Sequence, residues 1–470
     1  MATSYKTPGV YVQEISTLPS SIAAVPTAIP GIVGYTEKAV LVDGTNVTGK
    51  PVRITSMLEF EQIFGGPFKQ DFNVNVSGTI AAPSVAVTPN PGLSPHILYY
   101  QMQMFYSNGG GTCYVVSVAP YTTSVDKLLL EEGLNELEKI DEITLVNIPE
   151  TVKIALPADR KYLNEAMLAH SAKMENRFAL MDVLQDGATV ETDASDFRDE
   201  EVGIDNLKFG ASYYPRLITT MQHFYVDADI NVTTTVTEWT AYNNKSLAVI
   251  KSGSTTPALL PNTTLFNLVT AELQKVSVEL YPSSSMAGVY ARVDSTRGVW
   301  KAPANVGLRS VKAPSVLITD AQQEGLNVDS ASGKSINAIR VFEGRGLLAW
   351  GARTLDGNSN EWRYINVRRL FLFVEQSTKN ASQFVVFEPN SANTWNRLKG
   401  MISNFLTNLW RDGGLVGATT EEAFFVRVGL GETMTTQDVL EGRMIVEIGL
   451  AASRPAEFII LRFSHFISQD

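Results

Sequence analysis

The tetrapeptide Ser332-Gly333-Lys334-Ser335 is the segment of this chain whose residue types most invite chemistry. Backbone amides of a glycine-rich turn cradle phosphates, and a lysine placed after them reaches the terminal one. Such a loop needs a glycine at position 328, where the sequence has Val328. It also needs a strong β-run before it and a helix after it, and neither is legible. The segment reads as a polar turn, with a nucleotide site as the competing reading. Gly109-Gly110-Gly111 follows a helical pattern and precedes an apolar run. That is the reverse of a dinucleotide loop, in which glycines follow the strand so that phosphate meets a helix N-terminus, and a hinge is expected. Gly429-Leu430-Gly431 lacks a third glycine altogether. Carboxylates cluster over 131–142 and 193–201 without histidines in the same motif. Solvated helix faces are expected there, and no hydrolytic metal site. Cys113 leads the apolar run Tyr114–Val118, the setting of a small buried hydrophobe and not of an activated nucleophile. No catalytic, cofactor-binding or metal-ligating residue is assigned, no cofactor is expected, and the chain is read as a non-enzyme.

The scaffold that would position these residues has an ordinary globular composition. At about 150 residues per domain, 470 residues give two or three units. A hydrophobic share of 44% with 19% charged residues excludes a disordered chain. Lys plus Arg number 38 against 49 Asp plus Glu, a net −11, and that field repels nucleic acid and anionic membranes. Neither is expected as a partner. With one cysteine and four scattered histidines (His96, His170, His223 and His465), there is no internal disulfide and little material for a zinc site, so packing must hold the fold. No basic leader with an apolar run and no stretch of 18 apolar residues is present; synthesis in the cytoplasm without membrane insertion is expected.

From Ala28 to about Val183, short apolar runs (Ile29–Tyr35, Thr112–Val118, Ile143–Ile148, Arg177–Val183) alternate with amphipathic stretches (Ser94–Tyr106, Val125–Glu138, Asp159–Glu175). Strand and helix alternating in this way predict crossover connections and an α/β domain with a mainly parallel sheet, covered on both faces. Two stretches, 69–95 and 226–263, interrupt the pattern with Asn, Thr, Val, Pro and Ser and read as surface loops or small β-insertions. From about Glu361 the pattern predicts a second, compact α/β unit. Its elements are a helix over Tyr364–Thr378, a strand over Phe384–Phe387, a helix over Thr394–Trp410, and strands over Phe424–Val428, Arg443–Leu450 and Glu457–Phe466. In the second helix Trp395, Leu398, Ile402, Phe405 and Leu409 form one stripe, Ser391 or Asn393 can cap its start, and Gly413-Gly414 stops it.

Both chain ends look like strands without local partners. The β-type run from Val10 to Ile15 lies isolated between Pro8-Gly9 and Pro19, and the run from Phe458 to Phe466 is apolar on both faces. Such ends suit β-augmentation of another chain, and a donor and acceptor on different surfaces of one molecule give rings or open helices. Pairing within the same subunit is the alternative.

Thr7-Pro8-Gly9-Val10-Tyr11-Val12-Gln13-Glu14 resembles the opening motif of contractile tail sheath proteins of phages, tailocins and extracellular contractile injection systems. The resemblance continues through Pro30–Thr36, Ala287–Ala291, Thr296–Asn305, Asn366–Leu370, and Phe387-Glu388-Pro389-Asn390 with Trp395. It implies a structural subunit that stacks as hexameric rings into a helical sheath around an inner tube protein, with baseplate and terminal cap proteins as further partners. The sheath would contract from a metastable extended state to drive the tube through a target envelope, as part of a phage tail or of a released, extracellular tail-like particle. The implied layout is an arm and linker over 1–22, an outer domain over 23–360 carrying the two variable insertions, an inner, tube-facing domain over 361–452 and a C-terminal arm over 453–470. Val10, Tyr11, Val12 and Ile15 would form the lent N-terminal strand, and Phe458, Ile460, Leu461 and Phe463 the C-terminal one. Arg397 and Lys399 would meet acidic groups on the tube. The competing reading is a soluble α/β nucleotide-binding enzyme with its site near 332–335.

Overall fold

The computed structural model describes residues 22–90, 92–255 and 257–458. They divide into two compact units: Val25–Gln376 with 454–458, and 22–24 with Ser377–Ser453. The division falls inside the helix Ile365–Ser382, later than the boundary expected at 360/361.

The large unit is built on a nine-stranded sheet in the order Val306–Gly307, Gly346–Ala349, Ile336–Phe342, Gly210–Tyr214, Phe178–Asp182, Leu145–Asn147, Pro30–Thr36, Cys113–Pro120, Pro51–Ile54. The six strands from Ile336–Phe342 to Cys113–Pro120 run parallel. Antiparallel strands close both sides. The expected mainly parallel α/β sheet is therefore what the chain forms. Its inner strands are continuously buried, as Pro30–Thr36 and Phe178–Asp182 are throughout, because helices cover both faces.

The helix Lys127–Glu136 approaches that sheet closely at Gly133, where a Cβ would lie 2.5 Å from Val33 and 2.7 Å from Val118. Gly31 repeats the arrangement on the strand, beneath Leu137. On the opposite face Leu98–Ser107 lies against Ser283–Arg297. Gly109 at φ +109 and the Gly110 N–H donating to Phe105 O end the Leu98–Ser107 helix, so the triple glycine is a helix stop where a hinge was expected.

The two interrupting stretches meet in space. Asn73–Val76 pairs in parallel with Asn231–Thr234, and Asp71–Thr79 forms a hairpin with Ala82–Asn90. With Lys245–Ser246 these make a separate four-stranded sheet. Phe72, Val74, Val76, Val232, Trp239, Ile250, Leu265 and Val269 form its own core, which reaches the helix Thr263–Leu273. Period-2 alternation in Phe72, Val74 and Val76 puts the apolar side inward and Asn73 and Asn75 outward.

In the small unit the helix Ala392–Arg411 buries Leu398, Met401, Ile402, Phe405, Leu406 and Leu409. Ser391 stands at its N-cap, and Gly413 at φ +87 with the Gly414 N–H on Leu409 O closes it. Phe424–Arg427 and Glu447–Leu450 form a two-stranded antiparallel sheet. The strand expected at Phe384–Phe387 is instead a short 3-10 turn over Gln383–Val385, and Phe387 stands exposed at φ +69. Four consecutive apolar residues between Gln383 and Glu388 gave a β-like pattern, but four residues without a partner strand do not hold one.

Replacing glycine by alanine in an open helix gains about 1 kcal/mol. At Gly133 the overlap with Val33 and Val118 reverses the sign, because overpacking costs about 1–3 kcal/mol. Gly133→Ala is expected to lower stability by about 1 kcal/mol, measured as a reduced urea midpoint at unchanged slope.

Candidate functional site: the buried junction and the open edges

Three of the segments singled out in the sequence converge within the large unit. Helix Ser283–Arg297 carries Tyr290 and Asp294 four residues apart, so both project from one face. Helix Ile365–Ser382 places Arg369 against them. The guanidinium donates Nη1 to Asp294 Oδ1 at 3.0 Å and Nη2 to Oδ2 at 2.5 Å. It also lies 4.6 Å above the Tyr290 ring, and Tyr290 shares a 2.6 Å hydroxyl contact with Tyr213. Nη2 further donates to Thr27 O at 2.7 Å, so the arginine grips the chain just before the first sheet strand. Gly298 ends the helix at φ +85, where a Cβ would meet the Trp300 ring at 2.4 Å, and Trp300 O accepts from Asn366 Nδ2 at 2.8 Å.

Both charges of this pair are buried. Removing one partner of such a pair costs about 3–5 kcal/mol, because the other charge stays in low dielectric without compensation. The sequence motifs include Arg369, Tyr290 and the Thr296–Asn305 block but not Asp294. The i, i+4 spacing of Tyr290 and Asp294 was the available signal.

The candidate chemical motifs resolve as structure. Lys334 Nζ donates to Val202 O at 2.7 Å and to Arg198 O, and Arg198 Nε donates back to Lys334 O at 2.9 Å. A strand, Ile336–Phe342, follows the turn in place of a helix, so no helix N-terminus faces it. Asp193 and Glu201, expected on a solvated face, are buried. Glu201 takes Arg160 Nε at 2.5 Å and Asp193 takes the Tyr214 hydroxyl at 2.7 Å. A buried cation and a buried hydroxyl recruited them inward. Burial pushes the Cys113 thiol up to about 12. His170 accepts from Arg177, and burial together with that guanidinium lowers it to about 4. Among the described residues no cluster of three or more His, Cys, Asp or Glu could hold a metal, and no helix is long and apolar enough to cross a membrane.

The carboxyl edge of a parallel sheet is where α/β proteins bind ligands, at helix N-termini. Here the chain's own carboxylates occupy those N–H groups. Glu150 accepts from Tyr35 N at 2.8 Å and from Ile97 N at 3.0 Å, at the start of Leu98–Ser107. Asp182 accepts Ser283 N at 2.8 Å and Ser283 Oγ at 2.5 Å, at the start of Ser283–Arg297. Burial outweighs these bonds, pushing Glu150 up to about 8 and Asp182 up to about 7.

Of the residues expected in the lent strands, Val10, Tyr11, Val12, Ile15, Ile460, Leu461 and Phe463 lie outside the described residues. Phe458 is 72% exposed. Arg397 is exposed with its guanidinium 4.8 Å over the Phe384 ring, and Lys399 is half-buried. Two positions apart on a helix and separated by buried Leu398, they do not share one face. Asn390 Oδ1 accepts from Trp395 Nε1 at 2.6 Å, and Asn390 Nδ2 donates to Arg443 O at 3.0 Å. Within the small unit the sheet of Phe424–Arg427 and Glu447–Leu450 has two strands among the described residues, and each pairs with the other alone, leaving an outer edge on either side.

This architecture is shared with proteins of one kind. Residues 358–465 match the family model of the phage tail sheath C-terminal domain. Curated relatives include the tail sheath proteins of Vibrio phage KVP40, 26% identical over 182 residues, and of Burkholderia phage BcepMu, 31% identical over 140 residues. Those alignments cover 38% and 29% of this chain and 26% and 29% of the phage proteins, so the chain spans less than a third of these relatives' length. Solved structures match far more completely. The anti-feeding prophage helical sheath in the contracted state is 31% identical, with 98% of this chain and 99% of that chain covered and a TM-score of 0.65. An extracellular contractile injection system sheath complex, also contracted, is 29% identical over 98% of both chains with a TM-score of 0.63. The chain belongs to the contractile tail sheath family.

Burial raises the Glu150 carboxyl from an ordinary 4.5 to about 8 in the fold. A raised carboxyl pKa stabilises the protein below the ordinary value, and the benefit is lost as pH rises through the folded value. Stability is expected to fall between about pH 5 and about pH 8, by on the order of 4 kcal/mol, and Glu150→Gln is expected to flatten that slope. Urea unfolding at a series of pH values measures both; an equally steep slope in the variant removes Glu150 as its source.

Proposed function

We propose that this chain is the sheath subunit of a contractile tail-like particle, polymerising as stacked hexameric rings around a rigid inner tube and shortening from a metastable extended state to drive the tube through a target envelope. The observation that carries the reading is the match over 98% of the chain to a sheath solved as a helical assembly. The two-stranded sheet of the small unit supplies a physical reason. A two-stranded sheet is marginal by itself, and each open edge can accept an extended segment through main-chain hydrogen bonds. Val10–Ile15 of one neighbour and Phe458–Phe466 of another are the proposed donors, with 16–21 as the linker that absorbs motion. Donor and acceptor sites on different surfaces make the contact heterologous, which builds rings and helices.

Work without a nucleotide follows if tension is stored during assembly and released by a rigid-body transition of the lattice. The self-occupied N–H groups at Glu150 and Asp182 and the carbonyl-bound Lys334 speak against the enzyme reading. The proposed layout sets the 377–453 unit against the tube, with Arg397 and Lys399, which flank buried Leu398 on its two sides, as its contacts, and assigns the particle's ends to baseplate and cap proteins. Assembly in the cytoplasm precedes release or incorporation into a virion in this reading.

Deleting residues 1–15 is expected to leave a folded subunit that builds no sheath; electron microscopy showing normal tubes from the truncated protein removes the arm from assembly. Arg397→Glu combined with Lys399→Glu is expected to reduce sheath formed around the tube several-fold at low salt, where screening is weakest, with an unchanged thermal midpoint of the isolated subunit. An undiminished yield excludes both residues from the contact.

A further inference from the structure

The chain returns from the small unit to the large one at 454, and one side chain receives it. Glu457 Oε1 accepts from Arg353 Nε at 2.9 Å and from Asn327 Nδ2 at 2.8 Å, while Oε2 accepts from Arg353 Nη2 at 2.6 Å and from the Tyr364 hydroxyl at 3.3 Å. The three donors come from separate places: the end of helix Asp320–Asn327, the segment after strand Gly346–Ala349, and the residue before helix Ile365–Ser382. Arg353 is only 4% exposed, and its own position is fixed by Asn337 Oδ1, which accepts its backbone N–H at 2.8 Å. Its Nη1 also donates to Gly357 O at 3.3 Å. Around the anchor the chain is bare. Arg454, Ala456 and Phe458 are exposed, and among the described residues 454–456 and Phe458 make no hydrogen bond or ion pair.

We infer that Arg353, with Asn327 and Tyr364, is a clamp that fixes the exit point of the C-terminal ribbon, so that Glu457 sets the register in which the following residues pair with a neighbouring copy. The inference rests on the proposal that 458–466 is lent to a neighbour. Its force lies in the geometry of a strand. Each residue advances about 3.3 Å, and a slip of one turns every side chain to the other face. Over its first four residues, Phe458-Ile459-Ile460-Leu461, the ribbon is apolar on both faces and has no pattern there to reject such a slip, so register must be imposed from its root. A two-pronged guanidinium–carboxylate pair holds position and orientation together, which one exposed contact does not. The clamp is also independent of the Arg369–Asp294 junction, with which it shares no residue.

The test compares three full-length variants with the parent for folded content, by circular dichroism and urea midpoint, and for sheath yield, by electron microscopy and sedimentation. Glu457→Gln leaves Arg353 buried without a counter-charge and is expected to lower the urea midpoint as well as the yield. Arg353→Met with Glu457→Gln removes both charges; it is expected to recover the midpoint while sheath yield stays at least ten-fold below the parent, or the tubes are irregular. Recovery of the midpoint together with normal tubes overturns the inference, since the pair then serves stability alone. If the double variant fails to fold, Glu457→Asp decides in the same assay: it keeps the charge but withdraws it by one methylene, and a normal yield from it overturns the inference equally. Removal of 459–470 separates the two levels. Normal sheath from that deletion refutes the lending of the ribbon, whereas no sheath from the deletion with normal sheath from the double variant refutes the clamp alone.

Discussion

A buried arginine held by a buried aspartate organises the large unit. Arg369 and Asp294 come from helices 75 residues apart in sequence, and each is tolerable out of water only while the other is in place. Their pairing locks helix Ile365–Ser382 onto helix Ser283–Arg297, and through Thr27 O it ties the entry of the first sheet strand to both. Tyr290 and Tyr213 complete the enclosure with a ring face and a hydroxyl. The neighbouring turn at Gly298 and Trp300 is shaped to the same junction. What looked in the sequence like three unrelated islands is one constraint seen from three sides.

The helix N-termini at the crevice of the sheet are satisfied from within the chain. The crevice at the carboxyl ends of the parallel strands is a property of the architecture, and its helix N-termini favour anions whatever the protein does. In this chain the buried carboxyls of Glu150 and Asp182 accept the hydrogen bonds from within. Those N–H groups are thereby taken up before any outside anion could meet them.

How much of this could be read from the sequence depended on whether the determining interactions were local. The parallel sheet was legible because Ile29–Tyr35, Thr112–Val118, Ile143–Ile148 and Arg177–Val183 are compact apolar runs separated by helical periodicity. The stripe on Ala392–Arg411 and its glycine stop were legible for the same reason. Phe384–Phe387 misled because an apolar tetrapeptide carries no information about a partner strand. The carboxylates at 193 and 201 misled because the residues that bury them, Tyr214 and Arg160, stand far from them in sequence. Glu457 and Arg353, separated by 104 positions, left no trace at all in spacing. Long-range pairings of single side chains are beyond any periodic signal, and they are what the candidate sites consist of.

The four-stranded sheet formed by the two interrupting stretches closes its own hydrophobic core, centred on Trp239 and Val74. A module that buries its own apolar residues can change its outward Asn, Ser and Thr side chains without disturbing the sheet beneath. It is therefore a natural cassette: a domain inserted at its hairpin tip at 79–82 would leave both this core and the nine-stranded sheet intact.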